Sequence, residues 1–341
     1  MEKYLKSTIE VEWIAQKLLQ DFKTQGPLIH IVRGNTDSNH YDHILVIQGS
    51  FDPPLLSHTE LINQSISLYQ KQLPNAKVAL MVLLSLSHVE KETDLFIHSL
   101  LGLRVEMLES LLSQTDLSVP WMIGISNSGR YIDLTVAIKR LLQKLSKNTY
   151  IMGIDVFDKL FQGVYYSKPL RDILPEIFQT DYIVAGRGDI VDIDDFLFYI
   201  NSLPSESQNA IKETDNIIFL PLQKKFQFES STKVRKQLSL DQSIEISSLN
   251  SQTLLFIHKN HLYSKNPSII VIQIIVQIFV RILLKEGVDR NKCSDIIHNF
   301  ISKNGNDKKI QTRILSEYRV KNNLFLEKRC YELLKEHSLI N

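Results

Sequence analysis

Two short segments of the chain carry residue types suited to gripping a phosphate. The first is Gly49-Ser50-Phe51-Asp52-Pro53-Pro54-Leu55-Leu56-Ser57-His58. A glycine lets backbone come close to a ligand, and paired prolines stiffen the turn. His58 falls at the start of a predicted helix, where free N–H groups and the helix dipole favour an anion. An imidazole there can donate a hydrogen bond to a phosphate oxygen. Taken alone, the segment also reads as a turn followed by an incidental histidine.

The second segment is Ser230-Ser231-Thr232-Lys233-Val234-Arg235. Hydroxyls ahead of an apolar-periodic run cap a helix, and capping alone accounts for them. It does not account for Arg235 about one turn inside the helix, with Lys233 beside the cap. Hydroxyls, free amides and a guanidinium together make a cradle for a polyphosphate.

Both segments follow predicted strands. Short apolar runs occur at Ile44–Ile47, Val78–Leu84, Trp121–Ile125, Tyr150–Gly153, Tyr182–Ala185 and Ile217–Leu220. Helical patterns lie between them at about 58–71, 100–112 and 134–145. This alternation predicts an α/β fold, a doubly wound Rossmann-like parallel sheet. Right-handed crossovers place the loops after all its strands on one edge, so the two phosphate segments would meet there.

Residues 3–22 read as a helix ended by Gly26-Pro27, and Asn35–His40 as a polar loop. Residues beyond Asn266-Pro267 read as several helices, broken by the loop Asn304-Gly305-Asn306-Asp307. The predicted division is 1–43, an N-terminal helical extension; 44–263, the sheet domain; and 264–341, a C-terminal helical extension.

Composition narrows the partners. Lys and Arg number 39 against 38 Asp and Glu, a formal charge of +1 in 341 residues. That balance argues against nucleic acid as the main partner. Cys293 and Cys330 form neither a disulfide framework nor a zinc pattern, which suits a reducing compartment and predicts no protein-held metal. The N-terminus lacks a secretory pattern. The apolar stretch Ile269–Leu284 is shorter than the roughly 20 residues a membrane span requires. Gln273, Gln277 and Arg281 fall on one face of it, predicting a buried amphipathic helix and no membrane contact.

The first segment resembles the phosphate-binding signature of the HxGH nucleotidyltransferases, and the second resembles their ISSTxxR signature. Within that superfamily the chain is most similar to the nicotinamide/nicotinate mononucleotide adenylyltransferases, particularly a eukaryotic branch with GSFxPP. Leu103–Leu108 is similar to the R-x-E-M-L helix, and Gly129–Asp133 to the G-x-Y-x-D stretch. Gly153-Ile154-Asp155 matches G-x-D, Arg187-Gly188 resembles an R-x-G site, and His261-Leu262-Tyr263 looks like H-x-L-Y. The similarity covers about Ile44 to Tyr263.

This resemblance implies a nucleotidyltransferase in NAD biosynthesis, joining nicotinamide or nicotinate mononucleotide to the AMP moiety of ATP and releasing pyrophosphate. Gly49, Ser50 and Phe51 would line the site with backbone groups. His58 would contact the ATP phosphates around the bond that breaks, and Ser231, Thr232 and Arg235 would hold the β- and γ-phosphates. His58 and Arg235 are thus the implied catalytic pair. Gly153 and Asp155 would lie by ribose or the acceptor nucleotide, with Arg187 at the R-x-G site. Asp155 read by itself is equally a helix N-cap, and Arg187 equally a solvated strand end. Mg²⁺ would arrive with ATP, since few carboxylates lie near either signature. A cytoplasmic or nuclear location is expected, and association into a homo-oligomer is left open.

The chain departs from the family at Leu55, which stands where HxGH has its first histidine and can donate no hydrogen bond. A tryptophan expected after G-x-D is also missing. Phe157, Phe161, Tyr165 and Tyr166 are candidates to stack on a nicotinamide ring, with core packing the competing reading for the two phenylalanines. Another acceptor within the superfamily, as in a cytidylyltransferase, is the nearest alternative. A catalytically weak ATP-binding or ATPase regulatory protein is a second.

Overall fold

A computed structural model describes residues 2–35, 41–86, 99–240, 246–264, 266–305, 307–319, 323–337 and 339. Past Asn35, the predicted polar loop lies outside the described residues, as does Asn306 in the later one.

The chain begins with helix α1 (Glu2–Gln25) and strand β1 (Ile29–Gly34). It continues through β2 (His43–Gly49), α2 (Leu56–Gln72), β3 (Val78–Ser85), α3 (Leu101–Gln114), β4 (Trp121–Ser126) and α4 (Tyr131–Leu141). Next come β5 (Lys147–Gly153), the short α5 (Ile154–Phe157), α6 (Leu170–Ile177), β6 (Asp181–Ala185), α7 (Ile193–Ser202) and α8 (Ser205–Lys212). The sheet closes with β7 (Ile217–Leu220). Helices α9 (Ser231–Leu240), α10 (Ser251–Lys259), α11 (Pro267–Lys285), α12 (Arg290–Asn304), α13 (Lys308–Arg319) and α14 (Asn323–Glu336) follow.

The seven strands run in the order β1-β4-β3-β2-β5-β6-β7. Strands β2 to β7 pair in parallel, while β1 lies antiparallel on β4. All six predicted strands are present. β1 is an addition to them, and it makes the sheet mixed rather than purely parallel. Its sequence, Ile29-His30-Ile31-Val32-Arg33-Gly34, follows Gly26-Pro27 without the helical crossover that marks the other strands.

The chain builds outward from β2 to β4 and then returns to place β5 on the other side of β2. The order therefore reverses between β2 and β5, and a crevice opens there beyond the strand ends. Alternate side chains of β2 feed opposite layers, as a pleated strand requires. Leu45 and Ile47 face a core shared with α1, α2 and α3, whereas Ile44 and Val46 face one shared with α4 to α7. All eight residues of β3 are buried, which its unbroken apolar run anticipates for a strand covered on both faces.

The C-terminal helices form a third core, and α1 ties it to the sheet. Leu5 and Ile9 of α1 pack among α11 and its neighbours, while Val11, Ile14, Ala15 and Leu18 pack beneath the sheet. Around α11 lie α1, α12, α13 and α14. Of the three polar residues expected on one face of α11, Gln277 and Arg281 are half-buried, while Gln273 lies inside the bundle at 4% exposure. Among the described residues α11 alone is long and apolar enough to cross a membrane, and 61% of its stretch Ser268–Lys285 is buried in this bundle.

Candidate phosphate-gripping cleft

A cleft of about 260 Å³ opens at the reversal between β2 and β5. Its walls include Gly49, Ser50, Phe51 and His58 from the segment after β2, Gly153 and Asp155 after β5, and Arg187 after β6. Ser231, Thr232 and Arg235 close it from α9. The residues expected to meet phosphate, ribose or acceptor all line this one cavity, whereas the aromatic stacking candidates and Lys233 do not.

Local chemistry explains much of the shape. Phe51 has φ 44°, a left-handed conformation unusual for a bulky residue, and its side chain is buried. Its ring meets the His58 imidazole edge-on, with centroids 5.0 Å apart. A side chain at Gly49 would lie 3.2 Å from that ring, so glycine makes room for it. At Gly153 an added Cβ would stand 2.6 Å from the Asp155 carboxylate. The G-x-D spacing thus lets the carboxylate fold back over the strand end.

The Leu55 amide donates to His58 Nδ1 at 2.8 Å. The imidazole proton is therefore on Nε2, which is left as a donor. Burial, with a smaller contribution from the Arg187 charge, pushes the His58 pKa down to about 4. The imidazole is neutral at neutral pH, so it can serve as a hydrogen-bond donor rather than a cation.

Arg235 is buried and held by its surroundings. Its Nη1 donates to the Asp52 carbonyl and lies 3.9 Å from the Asp52 carboxylate. Nη2 donates to Thr232 Oγ1 at 3.2 Å, and Nε meets no acceptor among the described residues. Because Thr232 Oγ1 accepts from Arg235, its own hydrogen remains available to donate. Ser231 differs, as its hydroxyl donates to the Pro53 carbonyl at 2.9 Å and ties the two loops together. Lys233 reaches the Phe228 carbonyl at 3.3 Å and is not among the lining residues.

Asp155 and Arg187 bind each other at 3.1 Å, and Arg187 Nη2 also donates to the Glu229 carbonyl at 2.6 Å. Two alternatives left open by the sequence close here. Gly153 occupies the N-cap of α5, with Asp155 in its first turn, so Asp155 is not the cap. Arg187 bridges three loops and is not a merely solvated strand end.

Two carboxylates escaped the sequence reading. Asp52 is fully buried beneath the cleft, accepting from Ser99 Oγ and Tyr263 OH at 2.6 Å each. Arg104 stands 3.6 Å from it. The segments Leu103–Leu108 and His261–Tyr263 thus meet under the loop after β2. Glu229 lines the cleft, and its Oε2 accepts from the Ser57 amide at 3.1 Å. A visible signal existed for it, because Glu229 stands where the ISSTxxR signature has its isoleucine. Asp155 and Glu229 are the carboxylates in the walls. Among the described residues, no three His, Cys, Asp or Glu side chains group as they would around a metal ion.

The aromatic candidates lie elsewhere. Phe157 and Phe161 are buried in the core against each other, and Tyr166 donates to the Leu160 carbonyl. Neither they nor Tyr165 line the cleft. Asp133 of the G-x-Y-x-D stretch is likewise remote, paired with Arg130 and Ser128.

No family model and no curated protein matches the chain. Among solved structures it is similar to a Plasmodium falciparum nicotinic acid mononucleotide adenylyltransferase complexed with APC. That similarity has 16% identity and a TM-score of 0.47, over 65% of this chain and 98% of that one. It is also similar to a Vibrio parahaemolyticus protein described as a candidate nicotinate-nucleotide adenylyltransferase. There the identity is 15% and the TM-score 0.34, over 65% of this chain and 95% of that one. Likeness at these levels carries no functional weight. What stands is a mixed α/β protein with a predominantly parallel sheet and a donor-rich cleft at its switch point.

Proposed function

We propose that this chain is an adenylyltransferase that joins the AMP moiety of ATP to nicotinamide or nicotinate mononucleotide, giving NAD or its deamido form and pyrophosphate. One observation carries the reading. His58 on one wall, with Thr232 and Arg235 on the other, converge on a single cavity at the carboxyl edge of the sheet. The 5′-phosphate oxygen of the mononucleotide attacks the α-phosphorus of ATP as the bond to the β-phosphate oxygen breaks. The acceptor is already ionised at neutral pH, so no side chain need act as a strong base.

Catalysis then consists of holding the reactants in line and neutralising charge on the leaving pyrophosphate. His58 Nε2–H, the Thr232 hydroxyl and the α9 amides act as donors, and Arg235 supplies fixed positive charge. Gly153, Asp155 and Arg187 border the acceptor side. Mg²⁺ enters as part of the ATP complex.

Purified chain supplied with ATP, Mg²⁺ and either mononucleotide should release pyrophosphate and NAD (or its deamido form) in equal amounts. No pyrophosphate with any mononucleotide would reject the transferase reading. Pyrophosphate with a different acceptor, and no dinucleotide, would reject only the acceptor.

A second reading, ATP binding with little turnover, is favoured by Leu55. This residue is 2% exposed and belongs to the buried apolar cluster that includes Leu100, Leu103, Val234 and Leu238. Leu55→His tests it. A rate gain of about a hundredfold, the scale of one transition-state donor, would identify an impaired but intact site. An unchanged rate would leave Leu55 as a packing residue alone.

A further inference from the structure

The sequence leads one to expect free amides at the start of α2, yet all of them are occupied. Leu55 N–H donates to His58 Nδ1, Leu56 N–H to the Ser248 carbonyl at 2.9 Å, and His58 N–H to the Leu55 carbonyl at 3.1 Å. The remaining amide, Ser57 N–H, donates to the Glu229 carboxylate. Glu229 is thus the one anionic acceptor among these four, and it lines the cleft half-buried. At α9 the situation differs, since the amides of Ser231, Thr232 and Lys233 meet no acceptor among the described residues.

Glu229 is not needed to fasten the loop that carries it. Its backbone is fixed by Arg187, and the same loop is tied down by Ser231 on Pro53, Arg235 on Asp52 and Gln223 on Glu60 at 3.0 Å. Only the Glu229 side chain must rotate to free the amide.

We propose that Glu229 is a built-in competitor for the phosphate position, and that it sets the affinity of the site. Its carboxylate occupies the α2 amide that a nucleotide phosphate would take, and like charges bar both from being there together. The fraction of molecules in which Glu229 has turned away then scales the apparent affinity. This inference rests on the cleft being an ATP site.

The test compares full-length chain with Glu229→Gln and Glu229→Ile, titrated calorimetrically with ATP, MgATP and adenosine at fixed ionic strength. Both variants should bind ATP and MgATP about tenfold more tightly, as loss of one charge-assisted contact predicts, with adenosine affinity unchanged. Unchanged or weaker ATP binding in both variants would overturn the inference and leave the ATP reading standing. Weakening confined to MgATP would also overturn it, by making Glu229 a metal ligand. Absence of ATP binding in all three proteins would instead remove the ATP reading, and this inference with it.

Discussion

Helices α2 and α3 begin in the same way and serve different ends. Each offers the amide of its second residue to a glutamate from a distant part of the chain. At α3 the amide is that of Gly102, and the acceptor is Glu12 of α1 at 3.3 Å. At α2 the amide is that of Ser57, and the acceptor is Glu229 at 3.1 Å. Glu12 is sealed between two helices at 5% exposure, whereas Glu229 stands in the wall of an open cleft. The dipole and free amides of a helix start attract an anion in both places. Access decides whether that anion is a permanent part of the fold or one that a ligand can replace.

The comparison breaks most visibly in turnover. His58→Ala removes the Nε2 donor at the open end, and its rate of pyrophosphate release should fall about a hundredfold. Glu12→Gln, at the closed end, should leave kcat unchanged. A loss of activity in Glu12→Gln equal to that in His58→Ala would show that the two helix starts are not functionally distinct.

Stability should rank them the other way. Glu12→Ala strands the Gly102 amide in a buried helix crossing and should cost about 1–3 kcal/mol in urea unfolding. Glu229→Ala exposes the Ser57 amide to water in the cleft and should cost less than about 1 kcal/mol. Equal losses would mean that Glu229 is as structural as Glu12.

How much of this was legible depends on how local the signal was. The six parallel strands announce themselves through apolar runs divided by helical patterns, and the sheet they form places two distant loops around one cleft. β1 gave no such signal, because an antiparallel edge strand needs no crossover helix and carries His30 and Arg33 within its run. In α11 the spacing of Gln273, Gln277 and Arg281 marked one face, but not that Gln273 would be enclosed while Gln277 and Arg281 stay half-buried. At the site, the two phosphate segments and the landmarks of the resemblance pointed to much of the lining, but not to its internal bonds. That Ser231 spends its hydroxyl on Pro53, or that Asp52 gathers Arg104, Arg235 and Tyr263, depends on contacts across more than 50 residues of chain. No spacing rule reaches that far. Glu229 is the exception, since a charge at an isoleucine position of the signature was visible from the start.

The pH dependence of stability is the most direct reading of the two environments, because burial shifts these groups in opposite senses. Burial lowers the His58 pKa from 6.5 to about 4, assisted by Arg187. Between those values the unfolded chain binds more protons than the folded one, so the His58 contribution is present above pH 6.5 and is lost as pH falls toward 4. Burial raises the Glu12 pKa above 4.5, against the opposing pull of the Gly102 amide and Arg104. There the folded chain holds more protons, so this contribution is present below pH 4.5 and is lost as pH rises through the raised value. Melting temperature followed across this range should therefore respond oppositely to two substitutions. His58→Gln should flatten the decline on the acid side, and Glu12→Gln should remove a decline on the rising side. If His58→Gln leaves the slope between pH 4 and 6.5 unaltered, the imidazole is solvated in the folded chain, and its place as a neutral donor at the open end of α2 is wrong.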